Sequence, residues 1–597
     1  MKKKYCLIYV SAFILLMVVP LARTNIEEKY VSSIDNRVLM DFPTFGEEEF
    51  SLKLELYIQD RIGFRNQMIR LYDNINDIFG GELTHPLYSY GKDGYIFFTP
   101  HDNKTYNDYH KSFAEMVFKM QKYCEDRGTR FYFVFNPEKT SVLREETANG
   151  YNYDDSWVDE LLSYMDELGI NYIDNKEYLT KKHYEEAVFN QKYDAGHWND
   201  LGCFYGTNNL FTHIHNDIPD VTELQKDEFE ISSKIEKHLP NSEFTVNEAI
   251  PVFMLKTTYK DISAQYNSEV ERNDNYFYFH YLKNEASNAD KLPRILFFQG
   301  SYYNERPQFF VSRTSDDIGI HNYQNVMNLD YYFNIFSPDV VVFEVAEYTF
   351  ANKFFNQEKM EKIDWNPALI VNTDESSFEE ERKELLQNAA EITTDASIKV
   401  IEGNAVDILF LDRKMNNARY AYLITDEKVY DLRRSYGRFS TSVLNNDLKA
   451  GSSVFLFFVD DANNKYYSNI PVKRTERIDK VKTSDNVIWD NNSSSYYLST
   501  TVTGNVFGAV VLQQITNTGD FIRNIRDKTS SGTFRGTLVN KEAQGTFGLR
   551  IRANSNLADE WIEYETELKQ NQVCYYKMSI DELNSKRVTI SKVEIYK

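Results

Sequence analysis

The chain is 597 residues long, with 42% hydrophobic and 26% charged residues, which is apolar mass for about three or four domains of about 100 to 200 residues and too little charge for wholesale disorder. A formal net charge of −23 makes the surface repel phosphate backbones and excludes a nucleic-acid partner held by charge. Aromatic residues make up 15% of the chain, which suits a β-rich extracellular protein that stacks on sugars, although core packing absorbs aromatics equally well.

In chain order, Lys2, Lys3 and Lys4 precede an apolar run from Tyr5 to Leu21 whose length is at the lower limit for spanning a bilayer. Residues 1–22 are expected to be an uncleaved signal anchor, with the N-terminus inside and the rest of the chain extracytoplasmic. Pro20 ahead of Ala22 suits a cleavage site poorly, and secretion after cleavage is the alternative. Cys6, Cys124, Cys203 and Cys574 are too few and too scattered for a disulfide framework or a metal cluster.

Residues 23–84 read as a polar tether and then one amphipathic helix, with Ile58, Ile62, Leu71, Ile75 and Phe79 near one face before Gly80 and Gly81. Gly91 to Phe98 reads as a turn and short strand, Phe113 to Cys124 as a helix ended by Gly128, and Arg130 to Asn136 as a buried strand cut off by Pro137. A helix over Trp157 to Leu168 and a strand over Ile170 to Ile173 follow, then a long insertion and two apolar runs, Arg294 to Gln299 and Asp339 to Val345. Nearly continuous apolar strands alternating with helices predict an α/β domain over about 85–365, a parallel sheet covered on both faces in three α/β/α layers. A charged helical linker is expected over 366–394. Short alternating strands such as Ser453 to Val459, Tyr496 to Val502, Gly508 to Leu512 and Thr546 to Arg552 then predict a β-sandwich over 395–475 and a jelly-roll-like one of carbohydrate-binding type over 485–597.

Open parallel sheets carry their functional groups at the carboxyl ends of strands. The strand Arg294 to Gln299 runs into Gly300-Ser301, where a tight turn lifts the serine hydroxyl above the sheet edge. Ser301 is thus a candidate nucleophile, although a Gly-Ser after a strand is also a common turn. A serine needs a base, and the base an orienting acid. Asp194 and His197 stand three apart ahead of a helix, a spacing that lets the carboxylate hold one imidazole nitrogen while the other faces the serine. The competing reading makes Asp194 a helix cap and packs His197 beside Trp198.

These residues resemble a known family, the AlgX and AlgJ-like SGNH proteins of alginate acetylation, sometimes named for an Asp-His-His-Trp motif. The resemblance spans about 30–350 and rests on Asn36 to Pro43 (NRVLMDFP), Asp60 to Asn66 (DRIGFRN), Gly91 to Tyr95 (GKDGY), Asn136 to Lys139 (NPEK), His197-Trp198-Asn199 and Gly300-Ser301-Tyr302. It implies an SGNH-hydrolase-like fold with Ser301 as nucleophile, His197 as general base and Asp194 as orienter, the Asp-His pair preceding the serine. Two departures stand out: Asp194 lies one position further from His197 than the family's Asp-x-His, and Gln299 stands before Gly300-Ser301 in place of Gly-Asp-Ser. The oxyanion donors stay open between the backbone N–H groups of Ser301 and Tyr302 and the Asn136 side chain; Trp198, Tyr302 and Asn136 are expected on the substrate side.

The chemistry that follows is acyl transfer through Ser301, with no cofactor. If a sugar hydroxyl captures the acyl-serine the enzyme is an O-acetyltransferase; if water does, it is a carbohydrate esterase. A third reading is a polysaccharide-binding or assembly protein without catalysis. The resemblance implies acetyl transfer to an extracellular polysaccharide, with a membrane-bound O-acyltransferase as donor system. Weaker constellations are His213, His215 and Asp217, which lack further ligands for a metal; Asp460-Asp461, read as a hairpin turn; and Tyr496, Tyr497, Trp561 and Tyr564, a sugar platform or sandwich core.

Overall fold

The computed structural model describes residues 2–596 except 28–29, 33–36, 47–48, 81–82, 84–86, 100–103, 152, 241–243, 257–258, 267–278, 286–291, 305, 307–308, 322, 371–374, 394–397, 401–404, 411–416, 436–437, 445–447, 449–452, 475–476, 479, 491–494, 502–509, 516–519, 526–531, 540–543, 553–559, 571 and 584–586. The first landmark residue, Asn36, the end of the strand expected at Val502 and the start of the one expected at Gly508 lie outside the described residues.

Seven strands make the central sheet: β1 (Arg130–Asn136), β2 (Tyr172–Asp174), β3 (Tyr259–Asp261), β4 (Phe279–Asn284), β5 (Arg294–Gln299), β6 (Asp316–His321) and β7 (Val340–Ala346), in the order β2-β1-β7-β5-β6-β4-β3. The five from β2 to β6 pair in parallel. The sheet departs from the all-parallel expectation at one edge, where β4 and β3, both from the long insertion, run antiparallel.

The apolar strands read as continuous runs because each feeds two cores. Phe131, Phe133, Phe135, Leu296, Phe298, Val341 and Phe343 point to one face and pack under the helices Asp108–Glu125, Ser156–Leu168 and Leu329–Phe336. Tyr132, Val134, Ile295, Phe297, Val340 and Val342 point to the other, under Asp200–Asp217. Alternation along a strand thus buries both sets, giving helix layers above and below the sheet.

The amphipathic segment expected as one helix is two, Phe50–Arg61 and Arg65–Gly80. The break falls at Gly63 and Phe64, where Phe64 adopts φ 62°. A Cβ on Gly63 would come within 2.7 Å of the Pro20 carbonyl, to which the Gly63 N–H donates at 3.0 Å. The break thus lies against the end of the first helix, Lys2–Ala22. That helix occupies the expected anchor; among the described residues, no helix is long and apolar enough to cross a membrane.

Past the helix Glu375–Gln387 the chain is β-structure. A six-stranded sheet that includes Ala418–Ile424, Ser453–Asp460 and Lys465–Arg474 goes with a three-stranded one built from Ala405–Phe410, Arg433–Ser435 and Arg438–Leu444. At the hairpin between Asp460 and Lys465, Asp460 Oδ1 accepts from the Ala462 and Asn464 N–H groups at 2.9 and 2.8 Å. Two five-stranded sheets follow and share one core, with Leu512, Leu549 and Ile562 from one and Leu498, Met578 and Ile595 from the other. Tyr564 lies in that core, its hydroxyl on the Val593 carbonyl, whereas Trp489 is partly exposed and packs against Tyr496 with ring centroids 4.5 Å apart.

Candidate active site

The β5 strand ends at Gln299, and the turn Gly300-Ser301 carries the hydroxyl to the carboxyl edge of the sheet. The turn is pinned from β7, where Glu344 Oε2 accepts from the Gly300 N–H at 2.5 Å. The other oxygen of Glu344 accepts from Asn136 Nδ2 at 2.8 Å, and Asn136 Oδ1 accepts from Asn175 Nδ2 at 2.7 Å. Burial pushes the Glu344 carboxyl up to about 7, against the two donors that favour its ionised form.

His197 arrives on the segment before the helix Asp200–Asp217, whose first turn is capped by Asn199 Oδ1 accepting from the Gly202 N–H at 3.0 Å. Asp194 sits in the left-handed region at φ 60°, a conformation that short polar residues tolerate when local hydrogen bonds repay it. Here Oδ1 accepts from the N–H groups of Gly196 and His197 at 3.2 and 2.9 Å. A Cβ on Gly196 would lie 2.3 Å from the Phe98 ring, so any larger residue there would have to displace that ring.

The three expected residues meet. Ser301 Oγ lies 2.9 Å from His197 Nε2, and His197 Nδ1 lies 2.9 Å from Asp194 Oδ1. Asp194 Oδ2 faces Arg306, whose Nη2 is 3.0 Å away. Burial alone would raise the Asp194 pKa, but His197 and Arg306 overcome it and hold the carboxylate well below its ordinary range. A carboxylate that stays ionised keeps a proton on Nδ1 and leaves Nε2 as acceptor for the serine hydroxyl.

Trp198, Tyr302 and Asn136 are placed differently from their expected substrate-side role. All three are 0% exposed. Trp198 Nε1 donates to the Tyr302 carbonyl at 2.6 Å, and the Tyr302 hydroxyl bonds the carbonyls of Pro137 and Gly196 at 2.7 and 2.9 Å. They tie the serine turn to the histidine segment from beneath, and the Asn136 amide is spent on Glu344 and Asn175. The His213 and His215 rings bond the carbonyls of Asn209 and Val221, and Asp217 accepts from the Tyr132 hydroxyl.

Three groups at or beside the site escaped the sequence. Tyr348 hydrogen-bonds Ser301 Oγ through its hydroxyl; burial raises its pKa to about 12, so at neutral pH it is a phenol able to donate. It lies just beyond the carboxyl end of β7, where the rule that found Ser301 also points. Arg306, five positions after the serine, carried no motif. Lys139, within the Asn136 to Lys139 landmark, is 0% exposed and donates to the Ile96 and Gln191 carbonyls at 2.8 and 3.1 Å; burial pushes its pKa down to about 7.

Residues 89–273 match the family model described as "SGNH hydrolase-like domain, acetyltransferase AlgX". That stretch holds Asp194 and His197 and stops short of Ser301, which the fold returns to them. None of the curated proteins matches the chain. Among solved structures, the chain is similar to Bacillus cereus PatB1 with a sulfonyl adduct (15% identity, 45% of this chain and 96% of that one, TM-score 0.35). The O-acetyltransferase domain of Pseudomonas putida AlgJ gives 12%, 47%, 99% and 0.32, and Pseudomonas aeruginosa AlgX gives 12%, 64%, 90% and 0.33. At such scores these likenesses add nothing to the family match and the geometry. The chain carries an SGNH hydrolase-like domain of the AlgX acetyltransferase kind.

Proposed function

We propose that this protein is an extracytoplasmic O-acetyltransferase that moves an acetyl group through an acyl-serine at Ser301 to hydroxyls of a cell-surface or secreted polysaccharide. The observation that carries this reading is the unbroken line of hydrogen bonds from Ser301 through His197 to Asp194. As the Ser301 oxygen bonds to the acyl carbon, its proton passes to His197 Nε2, and the imidazolium is held by Asp194. His197 returns that proton to the departing donor group, then removes one from the acceptor hydroxyl as it attacks the acyl-serine; as the bond from Ser301 Oγ to the acyl carbon breaks, His197 gives this proton to Oγ and the free serine is restored.

Support for acetyl transfer over hydrolysis is the acetyltransferase family match; support for a polysaccharide acceptor is the resemblance together with the appended β-sandwiches. The basic-then-apolar N-terminus supports attachment to the membrane facing outward, beside a membrane-bound acyl donor, and the partly exposed Trp489 and Tyr496 support a sugar contact in the last sandwich. Incubation with an activated acetyl ester, with and without oligosaccharide, tests the reading: acetylated sugar is expected, and free acetate alone in both samples would make the protein an esterase.

A further inference from the structure

A cavity of about 130 Å³ opens beside the relay. One of its lining residues touches the relay directly, Tyr348, whose hydroxyl bonds Ser301 Oγ, and another, Gly196, precedes His197 in the chain and donates its N–H to Asp194. We propose that this cavity is the acceptor subsite and that it takes a sugar ring bearing hydroxyls and no carboxylate. The proposal rests on the acetyltransferase reading and adds the charge class of the acceptor.

The walls are mixed in the way a pyranose requires. Tyr151 and Tyr153, both half-buried, supply aromatic surface for its C–H faces in front of the buried Trp157, while Glu138, Lys104 and Lys139 stand among them as polar groups. Both cations are already engaged: Lys104 Nζ donates to the Glu347 carbonyl at 2.8 Å and lies 5.1 Å from the centre of the Trp157 ring, and Lys139 Nζ donates to the Ile96 and Gln191 carbonyls. The Glu347 carboxylate is engaged too, accepting from the Glu138 N–H at 2.9 Å, from the Tyr153 hydroxyl at 2.5 Å and from Ser141.

Among the described residues, the Glu138 carboxylate makes one hydrogen bond, a long contact of 3.4 Å with the Thr140 hydroxyl, which leaves it capacity to accept more. Burial first, and the Glu347 charge after it, push the Glu138 pKa up to about 7, so a further negative charge brought here would add to a repulsion that Glu138 already relieves by holding its proton more tightly. A uronate brought against Glu138 and Glu347 would meet the same penalty, whereas a sugar hydroxyl would find an acceptor in Glu138.

The test uses the full chain, 4-nitrophenyl acetate as donor, and two acceptors of equal length, a neutral gluco-oligosaccharide and an oligogalacturonate, with acetylated product read by mass spectrometry. The expected result is at least about tenfold higher kcat/KM for the neutral acceptor, a several-fold rise in its KM in Glu138→Gln, and a narrowed preference in Glu138→Lys. Melting temperatures verify that each variant folds. Equal or better use of the uronate, or the same preference in both folded variants, overturns the proposal. Release of nitrophenol with neither oligosaccharide acetylated overturns it as well, while failure to release nitrophenol at all sinks the acyl-serine reading beneath it.

Discussion

Arg306 Nη2 lies 3.0 Å from Asp194 Oδ2, so that one carboxylate serves the guanidinium on one oxygen and His197 on the other. The folded-state pKa of Asp194 is depressed, so its stabilising contribution is complete above the unfolded-state carboxylate value of about 3.9 and is lost only as pH falls through the lower folded-state value. Removing the guanidinium brings the folded value up. Arg306→Ala is therefore expected to begin acid unfolding at higher pH than the wild type, followed by tryptophan fluorescence. Coincident acid transitions would show that the pair does not hold the carboxylate.

Tyr348 is a protonated phenol at neutral pH, poised to donate to Ser301 Oγ as negative charge gathers on it. Tyr348→Phe keeps the ring and removes that donor, and kcat for an activated acetyl ester should fall about tenfold to hundredfold. KM should change little. A variant with full kcat would assign the tyrosine to packing alone.

Glu344 gives a second pH signature, of opposite sign to Asp194. Its folded-state pKa is raised to about 7 by burial, so between the unfolded value of about 4.3 and about 7 the native state holds the extra proton and stability falls as pH rises. Glu344→Gln cannot accept from both donors and should be less stable at pH 5, by about 1 to 3 kcal/mol. The gap in melting temperature should narrow by pH 8. A gap independent of pH would mean that Glu344 does not titrate in this range.

Local pattern made much of this architecture legible. Arg294–Gln299 and Arg130–Asn136 are strands over the very residues expected, because apolar runs buried on both faces have one stable use. The Asp194 and His197 spacing likewise stated a local geometry. What escaped depended on distant parts of the chain. The close packing of the helix break at Gly63 against Pro20 is a distant contact, and the contacts of Arg306 and Tyr348 exist only once the ends of β5 and β7 lie side by side. Trp198 and Tyr302, expected on the substrate side, are each 0% exposed and bound to backbone carbonyls.

The most direct measurement is mass spectrometry of the protein after brief exposure to an activated acetyl ester, comparing wild type with Ser301→Ala and with His197→Ala. One acetyl group on the peptide containing Ser301 is expected in the wild type and in neither variant, with steady-state turnover lowered at least about 1,000-fold in both. Acetylation of another residue, or undiminished turnover in a folded Ser301→Ala protein, would contradict the account.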